Sequence, residues 1–455
     1  MTLAPSVATE LLVRGTVVTM DAGGTIADGA VAVAGHEIAG VGTYADLRRR
    51  HPNATVVGDA TTVVTPGYVN AHQHLTGDRL IASCIPDDID GQAAIFDWAV
   101  PVHGAHSADD DELSATLAAV AAVTNGITTT VEAGTVAHPD RVAAAARHVG
   151  MRLMLGRWGW DVGDGPLAAP AGEVLARAAD LLDRYPSGTG DLVEGWVTLV
   201  GHDLMTDELV TGAAELAGNR GTHLTFHMSP HAGDARACLA RTGQRPFVHL
   251  DALGVLGPHV LVAHAVHVDD AEVDAIARTG TAVAACPWAY LRLAQGVTAA
   301  GRYHDLWRVG ARLAVGCDAE NAGDAVDVLR AATLLAGLIR DRTGDPASFT
   351  ATDALALATS VGAAAIGKGG VLGVLAPGRR ADLVVHDTGG VQWLPPSSDP
   401  VRQLVWASDG RSVRDVVVDG RVVVRDGRCT TVDLDALRAA ALDRRDHLLR
   451  AAGHG

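Results

Sequence analysis

Lysine, paired cysteines and long apolar runs are scarce in this sequence of 455 residues. The formal net charge is −17, and no basic cluster offsets it, which argues against a nucleic-acid or anionic-membrane partner because phosphate contacts need a basic surface. No apolar run reaches the length of a membrane span, and the first residues lack the basic start and apolar core of a signal peptide. We therefore expect a soluble protein of the cytoplasm.

Five scattered cysteines form no Cys-x-x-Cys pair, so we expect free thiols in a reducing compartment and no zinc–cysteine site. Only one of the 36 basic residues is a lysine, Lys368, so any mechanism that needs a lysine side chain has a single candidate. The composition, 48% hydrophobic and 20% charged, is that of an ordinary globular protein long enough for one large domain and one smaller domain.

Strand-like segments with turns occur at both ends of the chain and flank a different middle part. Residues 1–65 and 371–432 carry these short apolar segments, which predict one small β-sandwich domain built from both termini. Residues 66–370 alternate apolar strands with helices, and residues 433–455 form a C-terminal helix. One of the helices, Ser107 to Thr124, opens with a capping box of Ser107 and Asp110. Two further predicted helices are Asp324 to Arg342 and Thr350 to Ile366.

The middle part contains eight candidate strands, the number found in a (β/α)8 barrel of the TIM type. They are the stretch before His72, Gly126 to Ala133, Arg152 to Gly156, Val193 to Val200, Thr222 to His227, Val260 to His264, Thr281 to Cys286 and Arg312 to Asp318. Nearly all of them are apolar, as strands covered on both faces should be. A doubly wound open sheet is the competing fold, but no Gly-x-Gly-x-x-Gly follows the first of these strands, and we predict the α/β barrel.

His72 and His74 stand at the end of the first barrel strand and predict one half of a metal site. Residues i and i+2 of a strand point to the same face, so both imidazoles should project together. In a chain with 20 histidines one such pair can arise by chance, and further ligands are needed.

Barrel enzymes place their functional side chains at the carboxyl ends of the strands. His227 ends strand five, His264 ends strand six and Asp318 ends strand eight. Barrel closure makes strand eight the neighbour of strand one, so Asp318 should lie beside the histidine pair, with His227 facing them from strand five. Singly, each residue is more often a structural histidine or a turn former, but their joint placement favours a metal site.

The order His72-Gln73-His74, His227, His264 and Gly316-Cys317-Asp318 resembles the amidohydrolase superfamily, and specifically its mononuclear aminohydrolase and triazine-hydrolase branch, which includes cytosine-deaminase-like enzymes. The resemblance extends over nearly the whole chain. It implies that His72, His74, His227 and Asp318 bind one divalent metal ion, most often zinc and sometimes iron. It also implies that Asp318 takes the proton of a metal-activated water, and that His264 orients this water or polarises the substrate. Binuclear relatives bridge two metals with a barrel lysine, whereas Lys368 lies after the barrel.

The sequence departs from this family at the end of strand five. Deaminases of the family usually carry His-x-x-Glu there, and the glutamate moves protons to the ring nitrogen and the leaving amine. Three residues after His227 this chain has Pro230, which cannot carry a proton. His231 or Asp234 could substitute, or both could be exposed loop residues.

Aromatic residues predict the substrate contacts. Trp288 and Tyr290 follow strand seven, where relatives often have polar residues, and they either stack on a flat ring or merely pack the loop. Trp98 follows strand one, and Trp158 and Trp160 follow strand three. His202, just after strand four, matches a position that often touches substrate in relatives.

We therefore expect a metal-dependent hydrolase of C–N bonds other than peptide bonds, which deaminates a heterocyclic or amidine-like small molecule. Because Pro230 replaces the glutamate, the alternative is a metal-dependent enzyme that expels another leaving group, opens a cyclic amide or serves secondary metabolism. A third possibility is a metal-binding relative without catalysis. The family resemblance also implies a homo-oligomer, in its simplest form a dimer.

Overall fold

The structure is a computed structural model that describes residues 10–323 and 325–454. In chain order, its strands are β1 (Glu10–Val18), β2 (Thr25–Ala34), β3 (Glu37–Thr43), β4 (Thr55–Pro66), β5 (Tyr68–Gln73), β6 (Ile127–Glu132), β7 (Arg152–Leu155), β8 (Val193–Gly195), β9 (Val197–Gly201), β10 (Leu224–Met228), β11 (Val260–His264), β12 (Ala282–Ala285), β13 (Arg312–Val315), β14 (Leu383–His386), β15 (Val413–Val418), β16 (Arg421–Arg425) and β17 (Arg428–Cys429).

Helices follow most of the strands between β5 and β14. In chain order, the α-helices are α1 (Tyr44–Arg50), α2 (Gly91–Ala93), α3 (Val100–Ala105), α4 (Ala108–Thr124), α5 (Pro139–Val149), α6 (Ala171–Arg184), α7 (Asp207–Arg220), α8 (Ala232–Thr242), α9 (Pro246–Ala252), α10 (Asp270–Thr279), α11 (Pro287–Arg292), α12 (Val297–Ala300), α13 (Tyr303–Arg308), α14 (Glu320–Gly323), α15 (Val328–Thr343), α16 (Ala351–Ala358), α17 (Ser360–Ala365), α18 (Pro400–Ala407) and α19 (Leu434–Ala451). A π-helical turn, Ala94–Ala99, joins α2 to α3.

The two ends of the chain meet in one eight-stranded sheet, whose strand order is β17-β16-β15-β14-β4-β1-β2-β3. Strand β14 pairs with β4 in antiparallel register, so that Leu383 lies opposite Pro66 and joins the C-terminal strands to the N-terminal ones. Alternating apolar side chains from both ends, among them Val13, Val31 and Val417, pack in one cluster on the sheet. Strands from the two termini thus share one sheet.

The middle of the chain has the TIM-barrel type of α/β architecture, with parallel strands and intervening helices. Hydrogen bonds arrange these strands in two sheets, β5-β6-β7-β8 and β9-β10-β11-β12-β13. Only Trp196 separates β8 from β9, so one chain segment takes part in both sheets. At the other edge, the backbone N–H groups of Cys317 and Asp318 donate to the carbonyl of His72 over 3.1 and 3.0 Å.

Alternation along the strands divides the apolar residues between two cores. One set lies among the strands and includes Val69 and Ala71 of β5, Val131 of β6, and Ala282 and Ala284 of β12. The other set faces the helices and forms the largest cluster of buried residues. Because both faces of each strand are covered, the strands read as apolar runs rather than as alternating sequences.

The structure differs from the sequence-based expectation in two places within the middle part. Strand four is interrupted at the buried Trp196, whose ring stacks on His223 with centroids 4.6 Å apart. The predicted helix from Thr350 to Ile366 is two helices, because Thr359 leaves the helical region with φ −131° and ψ −99°. The predicted helix start at Asp324 lies outside the described residues.

Helix α19 packs on the middle part through an ion pair with helix α4. Arg444 donates two hydrogen bonds to Asp110, over 2.6 and 2.9 Å, and Asp110 also closes the predicted capping box with Ser107. Within residues 10–323 and 325–454, no helix combines the length and the apolar character needed to cross a membrane.

A buried histidine between the terminal sheet and the first middle strand makes stability depend on pH. His386 contacts the hydroxyls of Tyr68 and Ser412, and burial lowers its pKa from 6.5 to about 3. The unfolded chain therefore takes up a proton at His386 below pH 6.5 while the folded chain does not. This contribution to the free energy of unfolding is complete above pH 6.5 and is lost as the pH falls towards 3.

We predict that His386→Gln flattens this dependence in urea unfolding measured between pH 7.5 and pH 4.5. The difference in unfolding free energy between wild type and variant should shrink by roughly 1.4 kcal/mol per pH unit below 6.5. His447→Gln, at an exposed position of α19, is the control and should retain the wild-type slope. Parallel pH profiles of wild type and His386→Gln would contradict the assignment.

Candidate metal centre

The five predicted metal-site residues lie together at the carboxyl ends of the middle strands. His72 is on β5 and His74 directly follows it, His227 is on β10, and His264 ends β11. Asp318 lies three residues after the end of β13, and a parallel bridge pairs it with Gln73. The barrel architecture thus brings residues 72 and 318 into contact although they are far apart in the chain.

The side-chain distances describe a compact group of ligand atoms. The Nε2 atoms of His72 and His74 each lie 3.5 Å from Oδ1 of Asp318, and Nε2 of His227 lies 3.2 Å from Nε2 of His74. One ligand atom from each of these four residues can be chosen so that all lie within 4.8 Å of one another. All four residues are buried.

Contacts to the Nδ1 atoms of His227 and His74 orient their Nε2 atoms towards the group of ligand atoms. Nδ1 of His227 donates to the backbone carbonyl of Val200 over 2.6 Å, which fixes the tautomer with a lone pair on Nε2. Nδ1 of His74 lies 3.4 Å from the hydroxyl of Thr135, whose backbone N–H and hydroxyl are both 3.3 Å from the carboxylate of the buried Glu132. Such outer contacts orient metal-binding histidines and raise their basicity.

Asn70 aligns the first strand with the segment that carries Asp318. Its side-chain oxygen accepts hydrogen bonds from the backbone N–H groups of Cys317 (3.1 Å) and His72 (3.4 Å). Its amide nitrogen donates to Gln73 over 2.7 Å. Asn70 stands two residues before His72, and its residue type alone did not indicate this role.

Burial and charge set the protonation states that a metal ligand needs. Burial lowers the pKa of His72, and burial together with the neighbouring imidazoles lowers that of His227 well below 6.5, so both rings are neutral. Burial alone would raise the pKa of Asp318, but the imidazoles of His72 and His74, each with Nε2 3.5 Å from its carboxylate, hold that pKa well below its usual value. Neutral imidazoles and an ionised carboxylate are the forms that coordinate a cation.

The backbone around the site is tightly constrained. A Cβ at Gly316 would lie 2.8 Å from the backbone oxygen of His72, and one at Gly201 only 2.2 Å from the backbone oxygen of His227. His202, His264 and Asp318 adopt left-handed backbone conformations with φ values of 54°, 83° and 63°. Strained residues of this kind cluster at functional sites, where surrounding contacts hold them in place.

The residues present fit a divalent metal ion. Three imidazole nitrogens and one carboxylate oxygen form a donor set that Zn²⁺ accepts. His72 supports this use, because neither ring nitrogen of this buried side chain has a hydrogen-bond partner in the described part of the chain. A second group, His264, Cys286 and Asp318, also has ligand atoms within 4.8 Å of one another.

His264 lies beside this ligand group. Its ring centroid is 5.4 Å from that of His72 and 5.3 Å from that of His227, and burial lowers its pKa to about 3. The hydroxyl of Tyr303 donates to its backbone carbonyl over 2.5 Å and holds the end of β11. Lys368, the single lysine of the sequence, forms an ion pair with Glu194 over 2.6 Å.

A cavity of about 360 Å³ opens above the ligand group. His74, His227, His264 and Asp318 all contribute to its lining. Apolar and aromatic side chains also line it, namely Ile85, Ile95, Phe96, Val100, Leu293, Trp158 and Trp160. A cavity of this size with polar groups at one end and apolar walls suits a small organic molecule.

Of the four residues predicted to contact the substrate, one lines the cavity and three do not. His202 lines the cavity, whereas Trp98, Trp288 and Tyr290 do not. Trp98 stacks on His454, with ring centroids 3.6 Å apart. The hydroxyl of Tyr290 accepts the backbone N–H of Cys286 over 2.7 Å, so its ring is buried below the site.

The prediction that Trp98, Trp288 and Tyr290 contact the substrate is revised by their positions in the structure. Helix α11 begins at Pro287, directly after strand seven, so Trp288 and Tyr290 are helical residues rather than parts of an open loop. Trp158 and Trp160, which the sequence also places on a loop after strand three, are the tryptophans that reach the cavity.

The segment after Pro230 carries an acidic side chain, Asp234, that lines the cavity. Pro230, His231 and Asp234 all contribute to the lining. Oδ2 of Asp234 lies 2.6 Å from Nδ1 of His202. Burial opposes both shifts, but the pair raises the pKa of His202 above 6.5 and lowers that of Asp234 below 3.8.

We predict that His227→Ala lowers the metal content of the purified protein well below that of wild type, because one of four ligands is lost. His259→Ala is the matched control, since His259 precedes the opposite end of neighbouring strand β11. Elemental analysis after dialysis against a weak chelator measures the effect. Equal metal content in wild type and His227→Ala would contradict this role of His227.

Comparison with known proteins agrees with this geometry. A model of the amidohydrolase family matches residues 63–423, and a model of the bacterial imidazolonepropionase-like composite domain matches residues 29–54. A 5-methylthioadenosine/S-adenosylhomocysteine deaminase of Syntrophobacter fumaroxidans is 30% identical over 93% of this chain and 95% of its own length.

Solved structures also superpose over almost the whole chain. An adenosine deaminase of Xanthomonas campestris with bound zinc has a TM-score of 0.90 at 26% identity and covers 97% of this chain and 98% of its own. Atrazine chlorohydrolase of Arthrobacter aurescens, complexed with zinc, has a TM-score of 0.87 at 24% identity, with 96% of this chain and 100% of its own covered, and supports the fold alone. This chain belongs to the amidohydrolase family.

Proposed function

We propose that this protein is a metal-dependent aminohydrolase that removes the amino group of an adenine-type heterocycle bearing an apolar substituent. The convergence of His72, His74, His227 and Asp318, of which all but His72 line one cavity, carries the proposal. The family membership supports metal-dependent hydrolytic deamination of a heterocyclic small molecule. The adenine-type substrate takes its support from the printed activities of the relatives, which are deaminases of 5-methylthioadenosine, S-adenosylhomocysteine and adenosine.

We propose one divalent ion, with zinc as the resident metal, held by His72, His74, His227 and Asp318. Support comes from the donor set and from the zinc bound in the adenosine deaminase of Xanthomonas campestris. Such an ion supplies a Lewis acid that makes water a nucleophile near neutral pH.

Around that centre, the chain's own side chains have separate roles. The carboxylate of Asp318 accepts a proton from the attacking water, for which its position beside His72 and His74 suits it. His264, neutral and next to the ligand group, orients the substrate atom under attack. Apolar walls limit the access of bulk water, which strengthens these polar contacts.

The cavity supports an apolar substituent on the substrate. Ile95 and Phe96 lie on the π-helical turn that borders the cavity, and Leu293 reaches the same wall from the segment after α11. A side chain or thioether carried by the heterocycle would bury apolar surface there, at about 25 cal/mol per Å² removed from water.

Pro230 favours a second candidate function. An enzyme without the glutamate of the deaminase motif is better suited to a leaving group that departs without protonation. The metal centre and the cavity would serve this chemistry equally well. Both functions keep the reaction hydrolytic and differ in the bond that breaks.

The sequence also predicts the domain division, the localisation and the oligomeric state of the protein. We propose a closed eight-stranded barrel over residues 66–370, a sandwich-like domain from residues 1–65 and 371–432, and a C-terminal helical segment over 433–455. Hydrogen bonds from Cys317 and Asp318 to His72 support closure. We also propose a cytoplasmic homodimer, supported by five free thiols and by the exposed apolar residues Val391, Leu394 and Trp406.

We predict that the zinc-loaded protein releases one ammonia per molecule of 5′-methylthioadenosine consumed. A panel with guanine, a pterin and an aminotriazine defines the preference, and chloride and ring-opened products are measured in parallel. Protein stripped of metal with a chelator is the control and should be inactive until zinc is restored. Turnover of panel members without any ammonia would overturn deamination and favour the second function.

A further inference from the structure

We propose that Asp234 is a positioning residue that fixes His202 for a hydrogen bond between its Nε2 atom and a nitrogen of the substrate's ring. The His202–Asp234 pair thereby provides the polar contact that Pro230 cannot make. This inference rests on the proposed function, because it names a substrate contact in the same cavity.

The hydrogen bonds of Asp234 hold its carboxylate in one orientation. Its Oδ2 atom lies 2.6 Å from Nδ1 of His202 and accepts the backbone N–H of Ser229 over 3.1 Å. Its Oδ1 atom lies 3.3 Å from Nε2 of His231. Asp234 is only 8% exposed, so this is a buried interaction rather than a solvated surface pair.

Helix α8 places Asp234 in this position in spite of the proline upstream. The helix begins at Ala232, with His231 as its N-cap, so Asp234 lies in the first turn. An acidic side chain is favoured there by the helix dipole. The backbone N–H of Gly233 donates to Nδ1 of His231 over 3.0 Å and defines the start of the helix.

The backbone and ring of His202 are equally constrained. Its N–H donates to the carbonyl of His227 over 2.8 Å, and its φ of 54° follows that of 82° at Gly201. Its ring is nearly parallel to those of His227 and His264, at interplanar angles of 21° and 18°.

Asp234 occupies the Nδ1 side of the ring, so Nε2, on the opposite side, is the atom that His202 offers to a ligand. The side chain is 21% exposed and lines the cavity together with Trp158 and Trp160. A flat heterocycle that lies near His264 and the metal ligands would therefore meet a hydrogen-bonding nitrogen at its edge. Recognition of this kind selects rings with a nitrogen at the matching position.

A double-mutant cycle tests whether Asp234 acts through His202. The zinc-loaded wild type, His202→Ala, Asp234→Ala and the double variant are compared by kcat/KM for 5′-methylthioadenosine. The affinity for its 6-oxo product is measured by tryptophan fluorescence. Asp207→Ala is the matched control, because it breaks a similar pair, Asp207 with His249 at 2.9 Å, outside the cavity. Asp234→Glu tests rescue by a conservative change.

We expect Asp234→Ala to lower kcat/KM and product affinity at least tenfold in the wild-type background and less than twofold in the His202→Ala background. Asp234→Glu should recover part of the loss, and Asp207→Ala should match wild type. Metal content should stay at the wild-type value in all variants, and melting curves should show that each variant is folded at the assay temperature. Equal losses from Asp234→Ala in both backgrounds would overturn the proposal.

A proton NMR measurement gives a second readout that requires no turnover. The short contact predicts a downfield resonance from the proton on Nδ1 of His202, present in wild type and Asp207→Ala and lost in His202→Ala and Asp234→Ala. Absence of a resonance with this pattern would overturn the pairing. Ammonia release without coupling in the cycle would refute only the positioning role, whereas coupling in product affinity without ammonia release would refute only deamination.

Discussion

The inward aim of three imidazoles at one buried carboxylate is the constraint on which the rest of this structure depends. Lone pairs so close together in a buried site are unfavourable unless a cation compensates them. The chain holds two of the rings by contacts to their Nδ1 atoms, from the Val200 carbonyl to His227 and from Thr135 to His74. Gly201 and Gly316 allow the close backbone approach that these contacts need.

The strand-end chemistry was largely predictable from the sequence. The two-residue period of a strand places His72 and His74 on one side, and the barrel topology then requires ligands at the ends of strands five, six and eight. Strand β11, Val260–His264, has the predicted limits, and the capping box of Ser107 and Asp110 is present as expected. These features follow from local periodicity and capping, which a single sequence displays.

The loops were less predictable, because their course depends on partners that are distant in the chain. Trp98 was expected at the substrate, but its ring stacks on His454, 356 positions further along. Tyr290 was expected there too, but helix α11 turns it inward to accept the N–H of Cys286. Asn70 and Val200 were missed because nothing in their local pattern separates an orienting amide or carbonyl from an ordinary strand residue.

Pro230 shows how a change in one motif can coincide with a different arrangement nearby. The acidic group at this loop belongs to α8, where Asp234 bonds to His202 from the end of strand four. The metal-binding half of the site thus resembles the family pattern, while the other half of the cavity has Pro230 where the deaminase motif has glutamate. Substrate preference should depend on the second half.

The central claim is that His72, His74, His227 and Asp318 bind one metal ion. Anomalous X-ray diffraction from crystals of the zinc-loaded protein, recorded on both sides of the zinc absorption edge, would locate it. We expect one peak per chain, bound by Nε2 of His72, His74 and His227 and by a carboxylate oxygen of Asp318, at roughly 2.0–2.2 Å. No peak among these four side chains, or a peak elsewhere in the chain, would contradict the account.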